Sequence, residues 1–136
     1  MCICLYPLRL KQINNFVAQF GISSDKRLNR KYAYNEIEDD PSLPYATNEM
    51  GTLSFATSGE NSRTTQIFVN LSDNYSLDSK GFTPFATIQD GWDVVQRLYS
   101  KYGEEGPNQG MLVEKGSKVA FKSYPMLSRI IRAEYL

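Results

Sequence analysis

GTLSFATSGENSRTTQIFVN, residues 51–70, contains two short segments that alternate between apolar and polar residues, with a polar loop between them. The alternating segments are residues 52–56 and 66–70, and their β-branched and aromatic side chains favour strands. The loop, residues 57–63, is rich in Ser, Gly and Asn, which are common in turns. This stretch therefore predicts two strands joined by a surface connection.

Two other segments have strand character. Residues 17–22 form a short apolar run with a glycine near its end, which predicts a strand followed by a turn. Residues 82–88 predict a further strand, and Pro84 places its start at an edge or bulge. The polar residues 23–48 contain several turn formers and predict a surface loop with little regular structure.

The clearest helical pattern covers residues 91–102. Its apolar residues recur at spacings of three and four, Asp90 is a candidate N-cap, and Gly103 follows as a stop signal. We expect its apolar stripe to pack on the sheet. Residues 111–122 predict a second short helix, and residues 127–135 predict a closing strand.

Composition narrows the functional classes. The chain has 136 residues, which suggests one domain, and its 15 basic and 15 acidic residues are dispersed, so we expect no nucleic-acid partner. The absence of histidine excludes Ser-His and Cys-His catalysis and His-based zinc sites. Cys2 and Cys4 fit neither a zinc ribbon nor a redox pair, so we expect neither metal nor cofactor.

The first ten residues carry apolar side chains, but Pro7 and Arg9 interrupt them and the run is too short for a signal peptide or membrane span. We therefore expect no membrane partner and a cytoplasmic monomer, unless a targeting segment is missing from the start.

Several further motifs stand in a definite order around residues 51–70. They are residues 15–21 (NFVAQFG), 77–78 (LD), 82–85 (FTPF), 91–95 (GWDVV) and 106–110 (GPNQG). Together with Arg63-Thr64-Thr65-Gln66 they resemble the cyclophilin-type peptidyl-prolyl isomerases over residues 10–136. The resemblance implies a mostly β fold, an antiparallel β-barrel. This chain is expected to lack the barrel's first strands and first helix, because residues 1–9 do not match the family.

The resemblance also implies a site. Catalytic roles fall on Lys11, Phe16 and Gln19. Substrate binding falls on Val17, Ala56, Thr57, Ser58, Gln66, Phe68, Leu77 and Phe82. The resemblance implies a proline pocket with Phe82 at its rim, formed by Phe16, Val17, Phe68 and Leu77. The two glutamines would anchor the peptide, and the backbone of residues 56–58 would pair with it as a strand edge. Without the resemblance, the apolar residues are typical of ordinary core packing, and the glutamines of a polar surface or a structural hydrogen bond.

One position departs from the family. Where relatives carry a catalytic arginine, five residues before Phe16, this chain has Lys11. A guanidinium is a rigid planar fork, whereas an ammonium is a flexible point donor. Arg9, two residues earlier, would face the same side of an extended strand and is the alternative donor.

Three interpretations follow. The first is an isomerase acting on X-Pro bonds in peptides and unfolded chains. The second is a binding module that grips proline-containing segments with little turnover. The third is an incomplete domain without a stable function, because a barrel that loses strands exposes unpaired edges.

Overall fold

The computed structural model describes residues 8–9, 11–12, 15–41 and 43–134, with the first two pairs described by their backbone alone. The chain is mostly β, as predicted, with antiparallel strands and several short helices. The strands are β1 (Leu8–Arg9), β2 (Lys11–Gln12), β3 (Val17–Phe20), β4 (Thr52–Phe55), β5 (Ile67–Asn70), β6 (Pro84–Thr87) and β7 (Arg129–Ile130). The α-helices are α1 (Lys26–Tyr32), α2 (Trp92–Gln96), α3 (Gln109–Lys115) and α4 (Ser117–Ser123).

The central sheet has five antiparallel strands in the order β2-β3-β5-β4-β6. Its register places Val17 opposite Asn70, Gln19 opposite Phe68, and Ser54 opposite Phe68. Residues directly opposite each other project to the same face. These five side chains therefore share one face. The strands predicted over 17–22, 52–56, 66–70 and 82–88 are confirmed by β3, β4, β5 and β6.

The sheet does not close into the expected barrel within the described residues. β2 and β6 are its two edges, and β1 pairs with β7 in a separate two-stranded sheet. The closing strand predicted over 127–135 is reduced to Arg129–Ile130. A sheet with two edges leaves backbone groups unpaired at each of them.

Residues 23–48, predicted as a surface loop with little regular structure, contain one helix that the prediction missed, α1. Asp25 caps this helix, and its carboxylate accepts a hydrogen bond from the Arg27 N–H at 2.8 Å. The buried Asn29 fixes the helix by accepting from the Ser23 N–H at 2.8 Å and donating to the Ser23 carbonyl at 2.9 Å. This helix has no wide apolar stripe, so its periodicity gave no signal.

The helix predicted over 91–102 is wrong in its extent, because α2 covers only Trp92–Gln96. Its N-cap is Gly91, with a φ of 81°, and not Asp90. At the other end, the Arg97 N–H donates to the carbonyls of Val94 and Val95, and Arg97 leaves the helical conformation. The last turn is therefore of the tighter 3₁₀ kind, which seldom continues.

The apolar stripe of this segment does not cover the sheet, and no residue of α2 is buried. Its aromatic members pack on the C-terminal segment instead. The ring of Tyr102 lies 4.9 Å from Tyr99 and 5.1 Å from Tyr124, and the Tyr99 N–H donates to Ser128 at 3.1 Å.

The helix predicted over 111–122 is divided into α3 and α4. Gly116 separates them with a φ of 72°, a conformation that favours glycine. Leu112 and Ala120, one from each helix, pack with Ile22 in a small core of their own.

Candidate functional site

An apolar cluster occupies one face of the central sheet. Val17, Phe68 and Leu77 are its buried members, and Ala56 and Phe82 pack against them while remaining half-exposed. The rings of Phe68 and Phe82 meet edge to face with centroids 5.6 Å apart and planes at 71°. The cluster thus combines the buried ring of Phe68 with two half-exposed apolar side chains, Ala56 and Phe82.

The three buried members come from three elements of the chain. Strand alternation on β3 and β5 points Val17 and Phe68 to the same face. A 3₁₀ helix, Tyr75–Lys80, carries Leu77 over that face. Gly81 ends this helix with a φ of 84°, and the Phe82 N–H then bonds back to the Leu77 carbonyl at 3.3 Å. The cluster therefore contains four of the five residues predicted for the proline pocket, Val17, Phe68, Leu77 and Phe82, and adds Ala56. The fifth, Phe16, lies outside it.

Gln19 and Gln66 lie beside the apolar cluster. Gln19 is directly across from Phe68, and its Nε2 donates to Oε1 of Gln66 at 3.0 Å. The Gln66 carbonyl accepts from the Ala56 N–H at 2.9 Å, which fixes its backbone. The pair leaves further amide donor and acceptor sites for a peptide group.

The two candidate cations occupy different sheets. Lys11 stands opposite Gln19 in the pairing of β2 with β3. Arg9 stands opposite Arg129 in the pairing of β1 with β7.

Phe16 lies in the turn before β3, outside the buried cluster, and 36% of it is exposed. Its carbonyl accepts two hydrogen bonds, from the Leu71 N–H and from Nδ2 of Asn74, both at 2.9 Å. The backbone of Phe16 is therefore tied to the loop that follows β5.

Residues 56–58 continue β4 past the end of its pairing with β6. That pairing shifts register between Leu53 and Ser54 and ends at Ser54 opposite Pro84. Beyond this point, the chain next to β4 is the loop that carries Phe82. The backbone of Ala56 therefore lies beyond the last described β6 partner of β4.

The turn after this segment is held by its own side chains. The Ser62 hydroxyl accepts from the Ser58 N–H at 2.9 Å and donates to the Gly59 carbonyl at 2.8 Å. The Thr57 hydroxyl lies 2.8 Å from the same Ser62 oxygen. Thr57 and Ser58 are thus part of a compact polar turn at the rim of the cluster.

A cavity of about 390 Å³ opens between this turn and Phe82. Its walls are Asp39, Thr57, Gly59 and Glu60 on one side and Lys80, Gly81 and Phe82 on the other. It is large enough to receive one or two side chains of a bound peptide.

A network of buried polar residues, not predicted from the sequence, adjoins the apolar cluster. Asn48, Ser54 and Asn70 are each fully buried. Nδ2 of Asn48 donates to Asp78 at 2.6 Å and to the Phe82 carbonyl at 2.7 Å, and its Oδ1 accepts from Ser54 at 2.8 Å and Asn70 at 3.0 Å. Asn48 therefore ties β4 and β5 to the segment that supplies Leu77 and Phe82.

The network extends to the turn before β3. Asn74 donates to Oδ1 of Asn70 at 2.8 Å and to the Phe16 carbonyl at 2.9 Å. The signal in the sequence was that Asn70 follows Phe68 by two residues on the same strand and so shares its face. The partner, Asn48, lies in a segment that the sequence places in a loop.

Among the described residues, no cluster of His, Cys, Asp or Glu is placed to hold a metal ion. No helix in that part of the chain combines the length and the apolar character needed to cross a membrane.

Comparisons with known proteins address the family and the fold. No curated protein matches the chain. A solved structure of a cyclophilin-type peptidyl-prolyl cis-trans isomerase from Cryptosporidium parvum is 22% identical, with a TM-score of 0.54, and the match covers 78% of this chain and 64% of that one. At this identity the likeness concerns the fold. The sequence model of the family "Cyclophilin type peptidyl-prolyl cis-trans isomerase/CLD" matches residues 9–117, and this chain therefore belongs to the cyclophilin-type isomerase family.

Proposed function

We propose that this chain accelerates the cis-trans isomerisation of X-Pro bonds in peptides and unfolded proteins. The observation that carries the proposal is the apolar cluster of Val17, Phe68 and Leu77 beside the Gln19–Gln66 pair, in a member of this family. The cluster is apolar, as a site for a pyrrolidine ring must be, and the glutamines offer the hydrogen bonds that a peptide backbone requires.

The reaction requires no covalent bond between the protein and its substrate. Rotation about a peptide bond faces a barrier of about 18–20 kcal/mol, because the resonance of the amide is lost as its plane twists. The barrier falls when a donor stabilises the pyramidal prolyl nitrogen or the rotated carbonyl, and when the flanking chain is held still. No nucleophile or proton relay is needed, so a chain without histidine can catalyse the reaction.

Each part of the site has a role in this proposal. Phe68, Leu77 and Phe82 receive the proline ring and exclude water from it. Gln19 and Gln66 hold the adjoining peptide groups, while residues 56–58 pair with the substrate backbone. Lys11 supplies the donor to the twisting bond, and its register opposite Gln19 supports it over Arg9.

The second candidate is a proline-peptide binding module with little turnover. The observation that favours it is Lys11 itself, because an ammonium is a single strongly hydrated donor and cannot form the two-pronged contact of a guanidinium. Binding needs the apolar cluster and the glutamines, whereas turnover also needs the donor.

Exchange NMR on a capped peptide with one X-Pro bond separates the two candidates. We expect the full chain to bind the peptide and to speed its cis-trans exchange. Lys11→Ala is expected to lower kcat/KM, by less than the ~10²–10³ that a preorganised donor contributes, while leaving Kd nearly unchanged, because the donor acts in the transition state. Lys101→Ala, at an exposed lysine, is the control.

Binding without acceleration would contradict the isomerase and support the module. A folded chain that neither binds nor accelerates would contradict both.

A further inference from the structure

Arg63 is a buried cation at the end of the 57–62 turn, and only 7% of it is exposed. Its guanidinium lies over the ring of Phe55, with Cζ 5.0 Å from the ring centroid. Nη1 donates to Asp40 at 2.5 Å and Nη2 donates to the Glu38 carbonyl. Nε lies 3.2 Å from Oδ1 of Asp39 without the angle of a hydrogen bond.

These contacts join two segments that are distant in sequence. The Ile37 N–H donates to the Arg63 carbonyl at 2.9 Å, in an isolated antiparallel β-bridge. Asn61 and Asp39 form a reciprocal pair of hydrogen bonds. The Asp39 N–H donates to Asn61 Oδ1 at 2.9 Å, and the Asn61 N–H donates to Asp39 Oδ2 at 2.8 Å. The segment 37–40 is therefore fastened to the turn along its whole length.

The fastening lies next to the proposed substrate edge. Phe55, under the guanidinium, is the residue before Ala56, and the turn that Arg63 closes begins at Thr57. Asp39, held by Arg63 and Asn61, is a wall of the 390 Å³ cavity that faces Phe82. Arg63 thus fixes two surfaces that a peptide extending beyond the proline would contact.

We propose that Arg63 is a positioning residue, which holds the 56–59 edge and the Asp39 wall in the geometry that binds the residues flanking the proline. The inference rests on the proposed function of the groove and names its substrate class: peptides that extend past the X-Pro unit. Arg63 does not touch the reacting bond. Its contribution is the binding energy of the flanking chain, which the enzyme uses to hold the bond in place.

The test compares Arg63→Lys with Arg97→Lys on two substrates, a capped X-Pro dipeptide and a capped octapeptide with the same X-Pro at its centre. Lysine keeps the charge but cannot contact Asp40 and the Glu38 carbonyl together. Arg97 is the matched control, since its guanidinium is exposed and pairs with Asp93 at 2.8 Å. We expect Arg63→Lys to lower kcat/KM on the octapeptide about 10–100-fold, a loss typical of a misplaced substrate, and to leave the dipeptide nearly unchanged.

Equal losses on both peptides would assign Arg63 a merely structural role and overturn the proposal, as would no loss on either. If Arg63→Lys unfolds, Asp40→Asn removes a single contact and is expected to show the same selectivity at smaller size. If the wild-type chain proves inactive, the proposed function fails, and the ratio of the two Kd values still decides the role of Arg63.

Discussion

Replacing Asn48 by alanine is expected to be among the most damaging single changes in the chain. Asn48 is fully buried, and its side chain takes part in four hydrogen bonds, to Asp78, the Phe82 carbonyl, Ser54 and Asn70. Alanine removes all four and places nothing polar in their stead.

The four losses are not equal. Asn70 keeps its bond to Thr52 at 2.9 Å, and Asp78 keeps the bond from the Asn48 N–H at 2.9 Å. The cost therefore falls on the Ser54 hydroxyl and the Phe82 carbonyl. A buried polar group left without its partner costs about 1–3 kcal/mol, so the sum is about 2–6 kcal/mol. Small domains are stable by only about 5–15 kcal/mol, so this is a large fraction of the total.

The assay is urea unfolding followed by circular dichroism, with Asn35→Ala at an exposed position as the control, expected to change stability by less than about 0.5 kcal/mol. Titration with a proline peptide should also show weaker binding by Asn48→Ala, because Leu77 and Phe82 lose their anchor. A loss of stability equal to that of the control would refute the assigned network. The absence of a cooperative transition in the wild-type chain would favour the incomplete-domain interpretation.

Two further predictions follow from the backbone. Gly21→Ala would place a Cβ against the carbonyl oxygen of Thr65 and 2.6 Å from the Cα of Gln66. We expect this change to cost about 1–3 kcal/mol more stability than Gly59→Ala, whose added Cβ meets open space. Equal losses of stability in the same urea assay would contradict the close approach. The side chain and the N–H of Arg27 hold the pKa of Asp25 below its ordinary value of 3.8, so the cap of α1 contributes fully above that pH and is lost as pH falls through the lowered pKa. Melting curves from pH 2 to 6 should show the gap between wild type and Asp25→Ala closing on acidification, and a constant gap would exclude a role for the charged cap.

The central strands and the apolar cluster were predictable because strand alternation is a local signal. Once β3 and β5 pair in register, the face shared by Val17 and Phe68 follows from their positions alone. The motif order then supplied Leu77 and Phe82, whose loops carry no periodic signal.

The failures have a common physical cause, because each depends on tertiary contacts of polar residues. Asn29 and Asn48 are buried, although asparagine in a polar stretch ordinarily indicates a surface loop. Arg63 was visible as part of a motif, but its partners in 37–40 are joined to it only by the fold. Beyond the end of α2 at Gln96, the rings of Tyr99, Tyr102 and Tyr124 pack on one another, and local periodicity does not report such contacts.

The most direct test of the account is the kcat/KM of Lys11→Arg on an X-Pro peptide, against the wild-type chain and Lys101→Arg as an exposed control. If Lys11 faces the twisting bond from its position opposite Gln19, the fork of arginine restores a preorganised donor, and the expected gain is about 10²–10³ with little change in peptide Kd. A folded variant that shows no gain would contradict the placement of Lys11 at the centre of the site.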